Sequence, residues 1–216
     1  MDLRLTVDDV TGVFGIMPTP ATPDATDPEA QNTIDTEETR RAVAGLEDAG
    51  VNALMLTGTS GEAFALTPEE WKTFTKVAAE TADEMDILAG PTTLNTRTTI
   101  ERAKYARDVG CSGLLLGRPM WCELSPEATV SFYQEVADAV PELGIIAYDN
   151  PSAFKRPITS WERLATIENF VGTKAVGLGP AYWESVRQAR ESDGEMTVIQ
   201  MDAYLPAALS WHRDLP

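Results

Sequence analysis

The sequence predicts an α/β fold: a (β/α)8 TIM barrel that is C-terminally incomplete, with about seven of its eight strands present. Two observations carry this expectation. Seven short apolar runs recur at near-regular spacing, and helical patterns stand between them. Strands that alternate with helices pair in parallel. Even spacing without a break in composition favours one ring of repeats, so a single (β/α) barrel domain is expected over residues 1–216. A doubly wound sheet is the alternative. It usually carries a Gly-rich phosphate turn after its first strand, whereas the first run here leads into the proline-rich "MPTPATPDATD".

The elements follow in order. The first apolar run is "GVFGIM" (12–17). "DTEETRRAVAGLEDAG" then spaces Ala42, Val43, Leu46 and Ala49 on one helical face, with Gly50 as the stop. The second run is "VNALMLTG" (51–58), and "TPEEWKTFTKVAAETADE" follows it. There Thr67 is the N-cap, Pro68 opens the first turn and Glu70 completes a capping box. "DILAG" (86–90) and "SGLLLG" (112–117) are the third and fourth strands. A helix opening at Ser125 precedes the fifth, "LGIIAYDN" (143–150). "TSWERLATIE" and "AYWESVRQARE" are helices on either side of the sixth, "VGTKAVGL" (171–178). "MTVIQM" (196–201) is the seventh, and the expected eighth strand and C-terminal helical region have no counterpart before Pro216.

Composition narrows the chemistry. The chain is 43% hydrophobic and carries a formal charge of −17, which opposes binding to nucleic-acid phosphates. No apolar run reaches the ~18 residues of a membrane span, and "MDLRLTVDDVTG" has no secretory pattern. Cys111 and Cys122 are too few for a disulfide framework, so a reduced, cytoplasmic protein is expected. The one histidine, His212, excludes a multi-histidine metal site and makes a Ser-His-Asp triad a poor fit. Chemistry must then rest on lysine, tyrosine, threonine, carboxylates or backbone amides.

Candidate residues gather where barrel chemistry gathers, at the C-terminal ends of strands. The second strand ends in Gly58, Thr59 and Ser60, whose amides and hydroxyls suit a carboxylate. The fifth ends in Tyr148, Asp149 and Asn150. Alternation puts Ile146 and Tyr148 on one face and Ala147 on the other. The sixth carries Lys174, with Gly172 and Val176 on its face, Val171, Thr173 and Ala175 on the other, and Gly172 leaving space beside the lysine. A strand lysine ordinarily snorkels to an edge. Enclosed by apolar walls it loses hydration, which favours a neutral amine able to condense with a ketone.

These segments bear a resemblance to a known family. "GTSGE" resembles the G-T-x-G-E carboxylate-binding turn of the dihydrodipicolinate synthase / N-acetylneuraminate lyase family, "YDNP" its tyrosine motif and "GTKAVG" its Schiff-base segment. The match runs from about Gly12 to about Met201. The resemblance implies a class I, metal-free lyase. Lys174 would form an iminium with pyruvate or a pyruvate-derived substrate, and no separate cofactor would be needed. Tyr148 would shuttle protons, and Thr59 and Ser60 would hold the pyruvoyl carboxylate. A homotetramer acting on a small 2-oxo acid is implied, with no nucleic-acid or membrane partner.

The branch follows from departures. Met120 and Trp121 stand where the synthase has a P-Y-Y segment, and Ala153 stands where it has an arginine. "GIMPTPATPDA", "TTLNTR", "PMW" and "NPSAFKRP" are similar instead to the hydratase-aldolases of aromatic degradation. Hydration and retro-aldol cleavage of an arylidene-pyruvate are therefore expected, with Trp121 as an aromatic wall and Asn150 polarising the added water. Ser60 replaces that branch's usual phenylalanine. The alternatives are another aldolase or dehydratase of the family, including a 4-hydroxy-tetrahydrodipicolinate synthase-like enzyme, and a non-catalytic 2-oxo-acid-binding barrel.

Overall fold

The computed structural model describes residues 3–176, 180–192 and 196–200. Thirteen elements alternate: β1 (Phe14–Ile16), α1 (Thr36–Asp48), β2 (Ala53–Met55), α2 (Pro68–Thr81), β3 (Asp86–Ala89), α3 (Thr96–Asp108), β4 (Gly113–Leu116), α4 (Pro126–Ala139), β5 (Gly144–Asp149), α5 (Trp161–Leu164), β6 (Phe170–Ala175), α6 (Pro180–Glu191) and β7 (Thr197–Gln200). The strands form one parallel sheet in sequential order, β1 to β7. Each predicted apolar run coincides with one strand, β6 opening one residue before its run, at Phe170. The chain beyond Gln200, where an eighth strand was expected to be missing, lies outside the described residues, as does His212.

Both faces of the sheet are buried, as parallel sheets require. Ala53, Met55, Leu88, Leu115, Ile146 and Tyr148 form an inner core. Leu54, Leu56, Ile87, Leu114, Leu116 and Ala147 face outward onto Trp71, Phe74, Phe132 and other helix residues. The period-two alternation therefore sorts each strand between two apolar layers. Leu5 joins the inner core from the N-terminal segment, and its neighbour Arg4 donates its amide to the Glu142 carbonyl at 2.9 Å. This inward-packed leader was not among the sequence expectations.

Helix starts follow their caps. Thr67 and Glu70 form the expected capping box, and the Ser125 hydroxyl accepts from the Ala128 amide. Gly50 ends α1 at φ 84°, a conformation costly for other residues. Two elements differ from expectation. Helix α3 had no apolar stripe to announce it, because its buried positions are Thr99, Ala103 and Ala106. Helix α5 is a single turn, since the chain must enter β6 at Phe170.

The facing of β6 also needs correction. A register shift opposite Ile145 and Ile146 sets Phe170 against Ile145 and Gly172 against Ile146. The extra residue turns Val171 into the inner core, not outward with Thr173 and Ala175. Gly172 does not make room for the lysine either. A Cβ there would overlap the Thr197 carbonyl, so the glycine admits the backbone of β7.

Candidate active site

The turn after β2 is wound tightly. Thr57 adopts φ 50°, unusual for a β-branched residue, and is held by its hydroxyl, which donates to the Gly90 carbonyl at 3.0 Å. The Gly90 amide returns a bond to the same oxygen at 3.1 Å. A Cβ on Gly90 would lie 2.6 Å from the Thr57 carbonyl oxygen, so only glycine fits. Trp71 Nε1 donates to Gly90 at 3.0 Å from the other side. Backbone strain of this kind costs about 1–3 kcal/mol and persists where surroundings enforce it. Here it aims Gly58 and Thr59 at the mouth of the sheet.

Thr59 meets Tyr148 there. Their hydroxyl oxygens are 3.0 Å apart. The Asn150 amide nitrogen donates to the Tyr148 oxygen at 2.8 Å and to Thr59 Oγ1 at 3.4 Å. Its carbonyl oxygen accepts from the Ser152 amide at 2.9 Å, which fixes the orientation of the side chain. With an amide hydrogen directed at its oxygen, the phenol can donate its own proton to Thr59 or to a ligand.

Lys174 lies beside Tyr148 across the β5–β6 ladder. It is 3% exposed, and Nζ sits 4.7 Å from the centre of the Tyr148 ring. The lysine therefore points inward, and a cation there is stabilised by the ring face. The structure thus brings Lys174, Tyr148, Thr59, Gly58 and Asn150 together. Gly58 packs against the Tyr148 ring and Leu115. Ser60 is exposed on the turn, and Trp121 is 75% exposed at the rim.

A cavity of about 480 Å3 opens over Tyr148, Thr59 and Gly58, while Lys174 and Asn150 lie behind Tyr148 and are not among its lining residues. Tyr148, Thr59 and Gly58 form its floor, while Phe64, Leu94, Met120 and Phe154 contribute apolar walls. Met120 rather than Trp121 lines the cavity. Its size falls in the range typical of small-molecule sites. Among the described residues no cluster of three or more His, Cys, Asp or Glu side chains could cradle a metal ion.

A second layer braces the site, and sequence reasoning missed it. Asp149, between Tyr148 and Asn150, turns away from them to accept from Arg118 Nη2 at 3.0 Å and from the Ile158 amide at 3.0 Å. Both partners of this ion pair are buried. Arg118 also donates to the Arg156 carbonyl and lies 4.7 Å above the Phe154 ring, whose plane meets Tyr148 edge-on at 5.9 Å. An aspartate in an otherwise apolar strand was the available signal.

Parallel strands around an inner core, with a buried lysine and tyrosine at their C-terminal ends, define the fold class: a (β/α) barrel architecture. The chain belongs to the dihydrodipicolinate synthetase family, which it matches over residues 12–193. It is 44% identical over 174 residues to trans-O-hydroxybenzylidenepyruvate hydratase-aldolase of Sphingobium xenophagum, covering 79% of this chain and 53% of the relative. It is 41% identical over 177 residues to trans-2'-carboxybenzalpyruvate hydratase-aldolase of Nocardioides sp. (strain KP7), covering 81% and 53%. The chain spans about half the length of these curated relatives. The solved structure of PhdJ bound to a substrate intermediate superposes with a TM-score of 0.90 at 37% identity, over 99% of this chain and 67% of that one.

Proposed function

We propose that this protein is a Schiff-base-forming hydratase-aldolase that converts an arylidene-pyruvate to an aromatic aldehyde and pyruvate. One observation carries the proposal: buried Lys174 at the face of a tyrosine whose hydroxyl is already engaged by Asn150 and Thr59. The two relatives named above, whose names give arylidene-pyruvate substrates, support the reaction class.

The steps follow from these groups. The Lys174 amine attacks the substrate ketone, and Tyr148 protonates the oxygen that leaves as water. The resulting iminium withdraws electrons from the conjugated double bond, so water adds at the carbon bearing the ring, held by Asn150. Loss of the new hydroxyl's proton breaks the carbon–carbon bond, releases the aldehyde and leaves its electron pair in an enamine. Protonation of the enamine and hydrolysis return pyruvate and the free amine. Thr59, Gly58 and Ser60, through hydroxyls and backbone amides, hold the pyruvoyl carboxylate. Tyr148 supplies the proton transfer, an effect of about 10²–10⁴-fold in enzymes of this kind.

Recognition of the ring falls to Phe64, Leu94, Met120 and Phe154, with Trp121 exposed at the rim outside the wall. Exposed Phe64, Leu94, Met120 and Trp121 support association with further copies of the chain, as a homotetramer. One barrel unit over residues 1–216 and a reduced, cytoplasmic setting complete the reading; Cys111 and Cys122 are both free. The test is turnover. Trans-o-hydroxybenzylidenepyruvate or trans-2'-carboxybenzalpyruvate should yield aldehyde and pyruvate, and Lys174→Ala should yield neither. Cleavage of sugar acids alone, or undiminished turnover by the variant, would overturn the proposal.

A further inference from the structure

The turn that follows β5 touches Tyr148 twice. Asn150 holds the phenol oxygen, and further along the turn Phe154 meets the tyrosine ring edge-on, with centres 5.9 Å apart and planes at 88°. One carbonyl joins the two contacts. The Asn150 main-chain oxygen accepts from the Ala153 amide at 3.0 Å and from the Phe154 amide at 2.9 Å. Phe154 lines the cavity but is only 5% exposed, unlike Phe64 and Leu94 in the same wall. Most of its ring is turned to protein, not to the space a ligand would enter.

Two neighbours fix that ring. Arg118 lies 4.7 Å above its centre, a cation on an aromatic face, and the guanidinium is itself tied to Asp149 and to the Arg156 carbonyl. At the tip of the ring stands Gly117. A Cβ there would lie 2.5 Å from Phe154 Cζ, so a side chain at this position would drive the ring from its place. The glycine backbone is anchored in turn, since its amide donates to the Thr92 hydroxyl at 2.8 Å. Phe154 is thus held at its tip, on its face and through its main chain, and it passes that constraint to Tyr148. The tyrosine needs such a stop. Asn150 and Thr59 grip only its oxygen, at the far end of the ring. A swing of the ring would carry that oxygen away from the reacting atoms, and a misplacement of about 1 Å can cost about 10²-fold in rate.

From this we infer that Phe154 is a positioning residue for Tyr148: clamped by Arg118 and admitted by Gly117, it holds the tyrosine oxygen where protons are transferred. The inference rests on the Schiff-base reading for the reaction those protons serve. It gives Phe154 a part in the chemistry that a wall residue, which only binds the ring of a substrate, does not have.

The test uses pyruvate alone, which has no aromatic ring for the wall to bind. After the Tyr148 oxygen gives its proton to the departing water, it takes one from the methyl carbon of the iminium. The C–H electron pair becomes the enamine double bond, and in heavy water a deuteron returns to that carbon. Proton NMR follows the loss of the pyruvate methyl signal. Phe154→Leu removes the ring and Gly117→Ala displaces it; each should slow this exchange by about tenfold or more. Pyruvate trapped on Lys174 by borohydride after full equilibration should stay within about twofold of the wild-type amount. Circular dichroism checks the fold of each variant, and Gly117→Ala carries the test if Phe154→Leu does not fold. Exchange as fast in the folded variants as in the wild type overturns the inference and leaves Phe154 a wall residue. A parallel loss of exchange and adduct overturns it too, as a general disruption of the site. Absence of both exchange and adduct in the wild-type protein would instead remove the Schiff-base reading, and the inference with it.

Discussion

Tyr148 meets Asn150, Thr59 and Lys174 through different parts of one side chain: its oxygen takes the first two and its ring face the third. Removing the oxygen alone separates these roles. Tyr148→Phe keeps the ring on which Lys174 rests, so pyruvate condensation should persist more slowly while turnover falls by about 10²–10⁴-fold; single-turnover kinetics resolve the two. Asn150→Ala should lower turnover and leave stability within about 1–3 kcal/mol of the parent, since it unpairs a phenol that still has Thr59. At this scale the sequence was informative. A lysine inside a β-branched run and a tyrosine at a strand end identified the partners. Asn150 reaching Tyr148, and Trp121 standing outside the cavity wall, depend on loop geometry that no local pattern encodes.

Elements hold these residues in place through two buried carboxylates. Arg118 reaches from the end of β4 to Asp149 at the end of β5, with both side chains withdrawn from water. Arg118→Leu strands the aspartate and should cost about 3–5 kcal/mol by denaturant midpoint. Loss of an exposed pair such as Lys72–Glu69 should cost about 0–1 kcal/mol. Glu70 caps α2 and accepts from Thr33 of the segment between β1 and α1; these bonds hold its carboxyl at about 2, below its ordinary 4.5. A depressed carboxylate stabilises the fold fully above its unfolded value. That contribution should be lost as pH falls from 4.5 toward 2, and Glu70→Gln should flatten this limb of a stability–pH curve. The capping box was legible from Thr67, Pro68 and Glu70. The Thr33 contact was not, since 37 residues separate the partners. Helix α3 escaped notice because small and hydroxyl side chains occupy its buried face.

Across the whole molecule, seven parallel strands divide their side chains between an inner core and an outer helical layer. Alternation, read from the sequence for β5 and β6, gave the facing of Ile146, Ala147 and Tyr148 and failed at Val171, where one extra residue in β6 reverses it. The reversal lies three residues before Lys174, and the ladder regains its register in time to set the lysine beside Tyr148. Apolar side chains around the cavity mouth predict association: sedimentation should reveal species heavier than the 23.5 kDa chain. Phe64→Ser combined with Trp121→Ser should shift them toward the monomer without altering the inner core.

The proposed chemistry turns on the Lys174 amine, enclosed beside Tyr148, condensing with a 2-oxo acid. Borohydride reduction in the presence of pyruvate, followed by peptide mapping, would capture that condensation. A single reduced pyruvyl adduct on the peptide containing Lys174, absent from Lys174→Ala, is the predicted result. No adduct at all, or one carried by a surface lysine such as Lys72 or Lys76 instead, would contradict it.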